Sequence, residues 1–133
     1  GHGIQICAHV ILGLPGETRT DMLRTAKTLA CLDIDGVKLH LLYVVKGTKM
    51  ENFYRQGHYR CLTREEYAEF VCDFLEVLPE TMIIQRLTGD PHPEELVAPL
   101  WALEKSKNLL CIQEALERRN TWQGKFFKGD KQI

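Results

Sequence analysis

Apolar positions fall into three short, nearly continuous runs, and between them they recur at three- and four-residue intervals. The first run, Ile4 to Leu14, reads as a buried strand that is stopped by Gly13-Leu14-Pro15-Gly16. A helix is expected next. Thr18 is placed to cap it with Asp21, and Met22, Leu23, Ala26, Leu29 and Ala30 share one face. Asp33 to Gly36 is turn chemistry, and Val37 to Val45 reads as a second strand ended by Lys46-Gly47-Thr48. Strand, helix and strand make a βαβ unit with a right-handed crossover.

From Lys49 to Leu62 no period holds, which predicts a loop with a short helix. Thr63 and Glu66 then have capping-box spacing, and Tyr67, Phe70, Val71, Phe74, Leu75 and Leu78 form a helical stripe that Pro79 ends. Thr81 to Leu87 reads as a third strand, followed by Thr88-Gly89-Asp90 and a Pro-His-Pro loop. The rest is expected to be helical from about Glu94, broken near Pro99, resumed through Leu109, Ile112 and Leu116, and polar after Trp122. The fold class is therefore α/β, with residues 1–92 as the strand-helix part and 93–133 as a helical extension and tail.

Composition narrows the class without naming a function. A chain of 133 residues, 44% hydrophobic and 26% charged, can bury a core and stay soluble. A net charge of -1 gives no reason to expect DNA as a partner, and no apolar run is long enough to span a membrane. The five cysteines are widely spaced and never form Cys-x-x-Cys, which suits reduced thiols in the cytoplasm and argues against a metal site in this chain. The chain opens on Gly1 without a methionine, so it is expected to be a piece of something longer.

In α/β folds ligands lie at the carboxyl ends of the strands, where Gly13, Gly16, Gly47 and Gly89 line one rim. A phosphate-cradling P-loop does not fit, because Glu17 follows Gly16 where such a loop needs lysine shortly after. Alternation puts His9, Ile11 and Gly13 on one face of the first strand and Lys38, His40 and Leu42 on one face of the second. Lysine and histidine are poorly suited to burial under helices, so these faces are expected to look into a lumen. A pair of buried, hydrogen-bonded histidines is the plain alternative. Gln85, Arg86 and Asp90 extend the polar set, with a structural Arg-Asp pair as the alternative there. Near the end, Arg118, Arg119, Lys125, Phe126, Phe127 and Lys128 could form an RNA or substrate contact. The short basic run in a nearly neutral chain favours instead a solvated tail whose Trp122 docks on the fold.

The ordered segments HVILGLPGETRTDM, LTREEYAEFVCDFLEVLP, QRLTGD, APLW and WQGKFF resemble the carboxyl-terminal half of radical S-adenosylmethionine (SAM) enzymes of an Elongator-catalytic-subunit-like subfamily. The resemblance implies a partial (β/α)6 TIM-like barrel, of which three βα units are about half. It implies SAM and a [4Fe–4S] cluster as cofactors, the cluster held by Cys-x-x-x-Cys-x-x-Cys. That triplet is absent here, so the ligands are expected in a missing N-terminal half, and the chain alone is expected to be inactive. In such enzymes reductive cleavage of the cofactor gives a 5′-deoxyadenosyl radical that abstracts a substrate hydrogen.

A Gly-x-Ile-x-Gly-x-x-Glu-like strand end contacts the adenine in that superfamily. Here it is matched loosely, with His9 in place of the first glycine and Glu17 one position late. The cofactor contacts so implied are Ile11, Gly13, Gly16, Tyr43 and Val44, and the substrate-facing residues are His9, Lys38, His40, Arg86 and Asp90. The substrate is a small molecule or RNA. Two readings from other classes stand beside this one: a non-enzymatic α/β module binding a nucleotide or RNA, and another barrel enzyme using His9 and His40 as acid and base. A cysteine triplet upstream of Gly1 discriminates among them. With an open sheet edge, the fragment alone is expected to be marginally stable.

Overall fold

The helix starts at Thr18 and Thr63 are capping boxes in the computed structural model, which describes residues 4–32 and 34–127. At α1 (Arg19–Ala30), the Thr18 hydroxyl accepts from the Asp21 amide at 3.2 Å, and the Asp21 carboxylate accepts from the Thr18 amide at 3.0 Å. Those two bonds hold the Asp21 carboxyl below its ordinary range. At α3 (Arg64–Glu76), Thr63 and Glu66 exchange the equivalent bonds at 3.0 and 2.9 Å. A shorter helix, α2 (Lys49–Arg55), is the short helix expected within the loop stretch Lys49 to Leu62.

Strands β1 (Cys7–Leu12), β2 (Gly36–Leu41) and β4 (Ile83–Arg86) form a parallel sheet in the order β1-β2-β4. β1 and β2 pair without a break, His9 opposite Lys38 and Ile11 opposite His40. Between β2 and β4 the register shifts after Val37, which brings Arg86 opposite Lys38. One face of the sheet is apolar: Val10, Leu12, Val37, Leu39 and Leu41 are buried with Met22 and Ala26 of α1 and Val71 and Phe74 of α3. α4 (Lys105–Arg118) packs on α3 and buries Ile112 and Ala115.

Two elements differ from the expectation. The run Val37 to Val45 is not one strand: β2 ends at Leu41, and β3 (Val44–Val45) joins a separate antiparallel pair with β5 (Leu96–Ala98). The helix expected from Glu94 is therefore β5 followed by a 3-10 turn over Leu100–Leu103, and α4 begins only at Lys105. The cause is tertiary. Backbone groups around Val44 and Lys46 are satisfied by Ala98, Leu96 and Glu95, including Lys46 N–H to the Glu95 carbonyl at 2.8 Å, and a local pattern carries no sign of such a partner.

A polar lock ties the helices together beneath this core. Asp73 and Glu76 on α3 are buried, and Arg119 at the end of α4 bonds both, at 2.7 and 3.1 Å. Arg19 reaches Asp73 at 2.8 Å, and the Thr121 hydroxyl donates to Glu76 at 2.5 Å. The following segment covers the end of α3: Gly124 N–H donates to the Leu75 carbonyl at 3.0 Å and Phe126 N–H to Glu76 at 2.7 Å. The Gln123 amide bridges the Pro79 and Met82 carbonyls at 2.7 and 2.8 Å. Carbonyls that a helix end leaves without partners are satisfied in this way.

Candidate functional site

Among the described residues, the helices packed on the sheet, α1 and α3, lie on its apolar side, and the other face is bare. Ile11 and Ile83 are 44% and 55% exposed there, beside His9, Lys38, His40 and Gln85. The alternation read in the sequence thus holds for His9 and Ile11 and for Lys38 and His40. The two histidines meet. Their rings stack with centroids 5.4 Å apart and planes 4° from parallel, and His9 Nδ1 lies 3.3 Å from His40 Nε2. At that separation one ring donates a single proton to the other when both are neutral. Burial, then the positive charge of His9, Arg86 and Lys38, holds His40 below the ordinary histidine range.

At the carboxyl ends of the strands, the Tyr43 hydroxyl lies against Gly89, the residue after Thr88. A β-carbon on Gly89 would sit 1.4 Å from the Tyr43 hydroxyl, so only glycine lets that ring lie there. The Tyr43 hydroxyl and the Thr88 hydroxyl are buried with no hydrogen-bond partner. Burial, then the charge of Asp90, pushes Tyr43 up to about 12, with Arg86 opposing. Asp90 itself is exposed. Thr88 did not stand out in the sequence beyond its Thr-Gly-Asp turn.

Two of the expected cofactor contacts have other duties. Val44 is fully buried and its backbone faces β5. Gly13 adopts φ +89°, its carbonyl accepts from the Tyr59 hydroxyl at 2.5 Å, and a β-carbon would meet Leu62 at 3.1 Å. Glycine at 13 is thus explained by the chain's own backbone and its Leu62 and Tyr59 cover. Gly13→Ala is accordingly expected to cost about 1–2 kcal/mol of stability with no ligand present, read as a lower urea midpoint at unchanged slope. By contrast, nothing lies within 4 Å of the β-carbon direction at Gly16. Glu17 has one oxygen buried without a partner, and it lines a cleft of about 260 Å³ along β1 and α1.

The basic residues read as an RNA contact are engaged elsewhere. Arg118 pairs with Glu69, Arg119 with Asp73 and Glu76, and Lys125 donates to the Asn120 carbonyl at 3.0 Å. Trp122 does not dock: it is 51% exposed under the Lys125 ammonium, and Gln123 with two backbone amides anchors the segment instead. Lys128 lies outside the described residues. The five cysteines are free, and among the described residues no three His, Cys, Asp or Glu side chains are grouped to hold a metal ion. No helix among them is long and apolar enough to cross a membrane.

A parallel sheet with helices on one side, a bare polar face on the other and all its strands ending at one rim is one wall of an α/β barrel. Comparison with known proteins agrees. Residues 34–118 match the family described as the Radical_SAM C-terminal domain. Over 127 residues the chain is 45% identical to the protein YtqA of Bacillus subtilis, covering 96% of this chain and 39% of that protein. It is 48% identical over 128 residues to an uncharacterized protein of Methanocaldococcus jannaschii, covering 95% and 40%. The chain thus spans about two-fifths of the length of these relatives. Its fold superposes on Methanocaldococcus infernus Elp3, solved with an N-terminal deletion, with a TM-score of 0.74 over 92% of this chain and 29% of the other, at 16% identity. The chain belongs to the radical SAM C-terminal domain family, and it is the C-terminal half of that fold.

Proposed function

We propose that this chain completes a radical SAM enzyme whose N-terminal half lies outside it, with the bare sheet face as the lumen wall and the Tyr43-Thr88 rim against the cofactor. The observation that carries the reading is the pair of buried hydroxyls, Tyr43 and Thr88, left without partners at the strand ends. Buried polar atoms are rarely left so, and a bound polar group at the rim would satisfy them. When bound, SAM and the cluster supply hydrogen abstraction by a carbon radical.

The residues fit the cofactor unevenly. Ile11 offers an exposed apolar platform, Gly16 leaves the backbone approachable, and Tyr43 and Thr88 offer polar contacts. Gly13 and Val44 are weaker candidates for the reasons above. No residue here is assigned to the cluster, whose ligands belong to the N-terminal half. His9, Lys38, His40 and Arg86 then face substrate, and Asp90 borders it. A small molecule is the favoured substrate, because Arg118 and Arg119 are held in ion pairs and offer RNA little. A cytoplasmic setting belongs to this reading, supported by the absence of any paired cysteine spacing.

Tyr43→Phe separates this reading from a structural one. The hydroxyl has no partner in the chain, so its removal should leave stability unchanged or slightly higher. In the full-length parent it should weaken SAM binding by roughly five- to tenfold, the loss of about one hydrogen bond. Ile11→Ala should weaken binding by a similar factor through lost apolar contact. Calorimetric titration with SAM measures both, and normal binding by both variants would sink the assignment.

A further inference from the structure

Lys38 and Arg86 are half-buried on the bare face, and neither makes a hydrogen bond or ion pair with any described residue. Such cations are seldom left without an anion. The register places them together: His9 opposes Lys38, and Lys38 opposes Arg86, so the three form one row across β1, β2 and β4. With neighbouring strands about 4.8 Å apart, that row spans roughly 10 Å. His40 stands two residues further along β2, stacked on His9.

We propose that this row binds an oxyanion of the substrate, a carboxylate or phosphate group, between Lys38, Arg86 and the His9–His40 pair. The assignment rests on the lumen reading above and adds the chemical class of the ligand. An arginine fork and an ammonium suit an oxyanion, and each histidine that takes up a proton adds a charged donor. The groups facing the pair account for its sign. Lys38 and Arg86 are cationic, Gln85 and Tyr43 are neutral, and the helices pack on the far side of the sheet. Glu17 lines the cleft along β1 and α1 together with His9, and two further acids stand apart. Asp90 lies past the end of β4, near Tyr43, and Asp35 accepts from the Ile6 amide at 2.7 Å at the opposite end of the sheet.

Binding therefore draws in a proton. In the free protein burial and the surrounding positive charge keep His40 neutral to lower pH than usual, and a bound oxyanion offsets that positive charge. Affinity should rise as pH falls through the histidine range. It should level off once His40 is protonated.

The test uses the full-length parent with ¹³C-labelled histidine rings, followed by NMR against pH in inorganic phosphate and in sodium chloride of equal ionic strength. His9→Gln and His40→Gln assign the two resonances. The expected result is an upward move of the His40 midpoint in phosphate by about half a unit or more. Lys38→Gln and Arg86→Gln should each weaken phosphate at least tenfold. Acetate run in parallel tells a carboxylate site from a phosphate site by which anion binds tighter. Equal midpoints in phosphate and chloride overturn the proposal, and that comparison needs no variant to fold. Unchanged phosphate affinity in both variants also overturns it, leaving an adventitious ion only. SAM binding is titrated in the same preparations. If SAM binds and phosphate does not, the oxyanion site is wrong and the lumen reading stands. If phosphate binds and SAM does not, the cation row is real but faces no cofactor, and the substrate assignment falls with the lumen reading. Displacement of phosphate by SAM assigns the oxyanion to the cofactor's own carboxylate and overturns the substrate class.

Discussion

Replacing Arg119 by methionine is expected to cost about 3–5 kcal/mol, the penalty for taking the cation from buried Glu76 and leaving Asp73 only the exposed Arg19. Among the described residues Arg119 alone bonds both Asp73 and Glu76, and their side chains are only 8% and 9% exposed. For a domain of this size the loss corresponds to a melting temperature lower by about 10 °C or more. Arg19→Met is the comparison. Its guanidinium also bonds Asp73 but is 61% exposed, so it should cost no more than about 1 kcal/mol. Thermal and urea denaturation of both variants measures the difference. Equal small effects would mean that Asp73 and Glu76 find other partners or water once the cation is gone. Adding Glu76→Gln to Arg119→Met should recover part of the loss, because it removes the stranded charge.

Gly124→Val should be nearly as damaging, at about 3 kcal/mol, by a different route. Gly124 has φ +90°, and a β-carbon there would lie 2.5 Å from Glu80 Cγ, 3.2 Å from the Glu80 nitrogen and 3.3 Å from the Leu78 carbonyl oxygen. The Glu80 side chain can swing away, but the two backbone atoms cannot. Its amide also donates to the last turn of α3, so a shift at 124 uncovers the Leu75 and Glu76 carbonyls. Hydrogen exchange gives the specific signature. Protection at the Gly124 and Phe126 amides should fall well before that at Leu39 in the centre of the sheet. Retained protection at 124 and 126 would show that the contact at Glu80 is relieved without undocking the segment.

Local chemistry made the helix starts and the parallel strands legible in the sequence. Thr18 with Asp21 and Thr63 with Glu66 announce helices because each bond is made within four residues. The bare face could be read as well, since a period of two sorts His9, Lys38 and His40 away from Val10 and Leu39 whatever lies next to them. Other features depended on partners far along the chain. β5 has three residues and is a strand because β3 is there to pair with it, while its own sequence around Leu96 and Ala98 also suits a helix. The stacking of His9 on His40 depends on interstrand register, which no single strand encodes. Arg86 reaches the row only through the shift after Val37, and unbroken alternation would have put Gln85 and Arg86 on opposite faces. The cover of Gly13 by Tyr59 and Leu62 comes from a stretch with no period to read.

The two sides of the sheet have different freedom to change. On the helix side, Arg19, Asp73, Glu76 and Arg119 are coupled through shared bonds, so loss of the central arginine strands Glu76 and its neighbours must change in concert. On the bare side, Lys38 and Arg86 hold up nothing else among the described residues. Either can be exchanged singly at little expense to folding. A descendant of this domain can thus acquire a new ligand preference in a few independent steps while the scaffold beneath stays fixed.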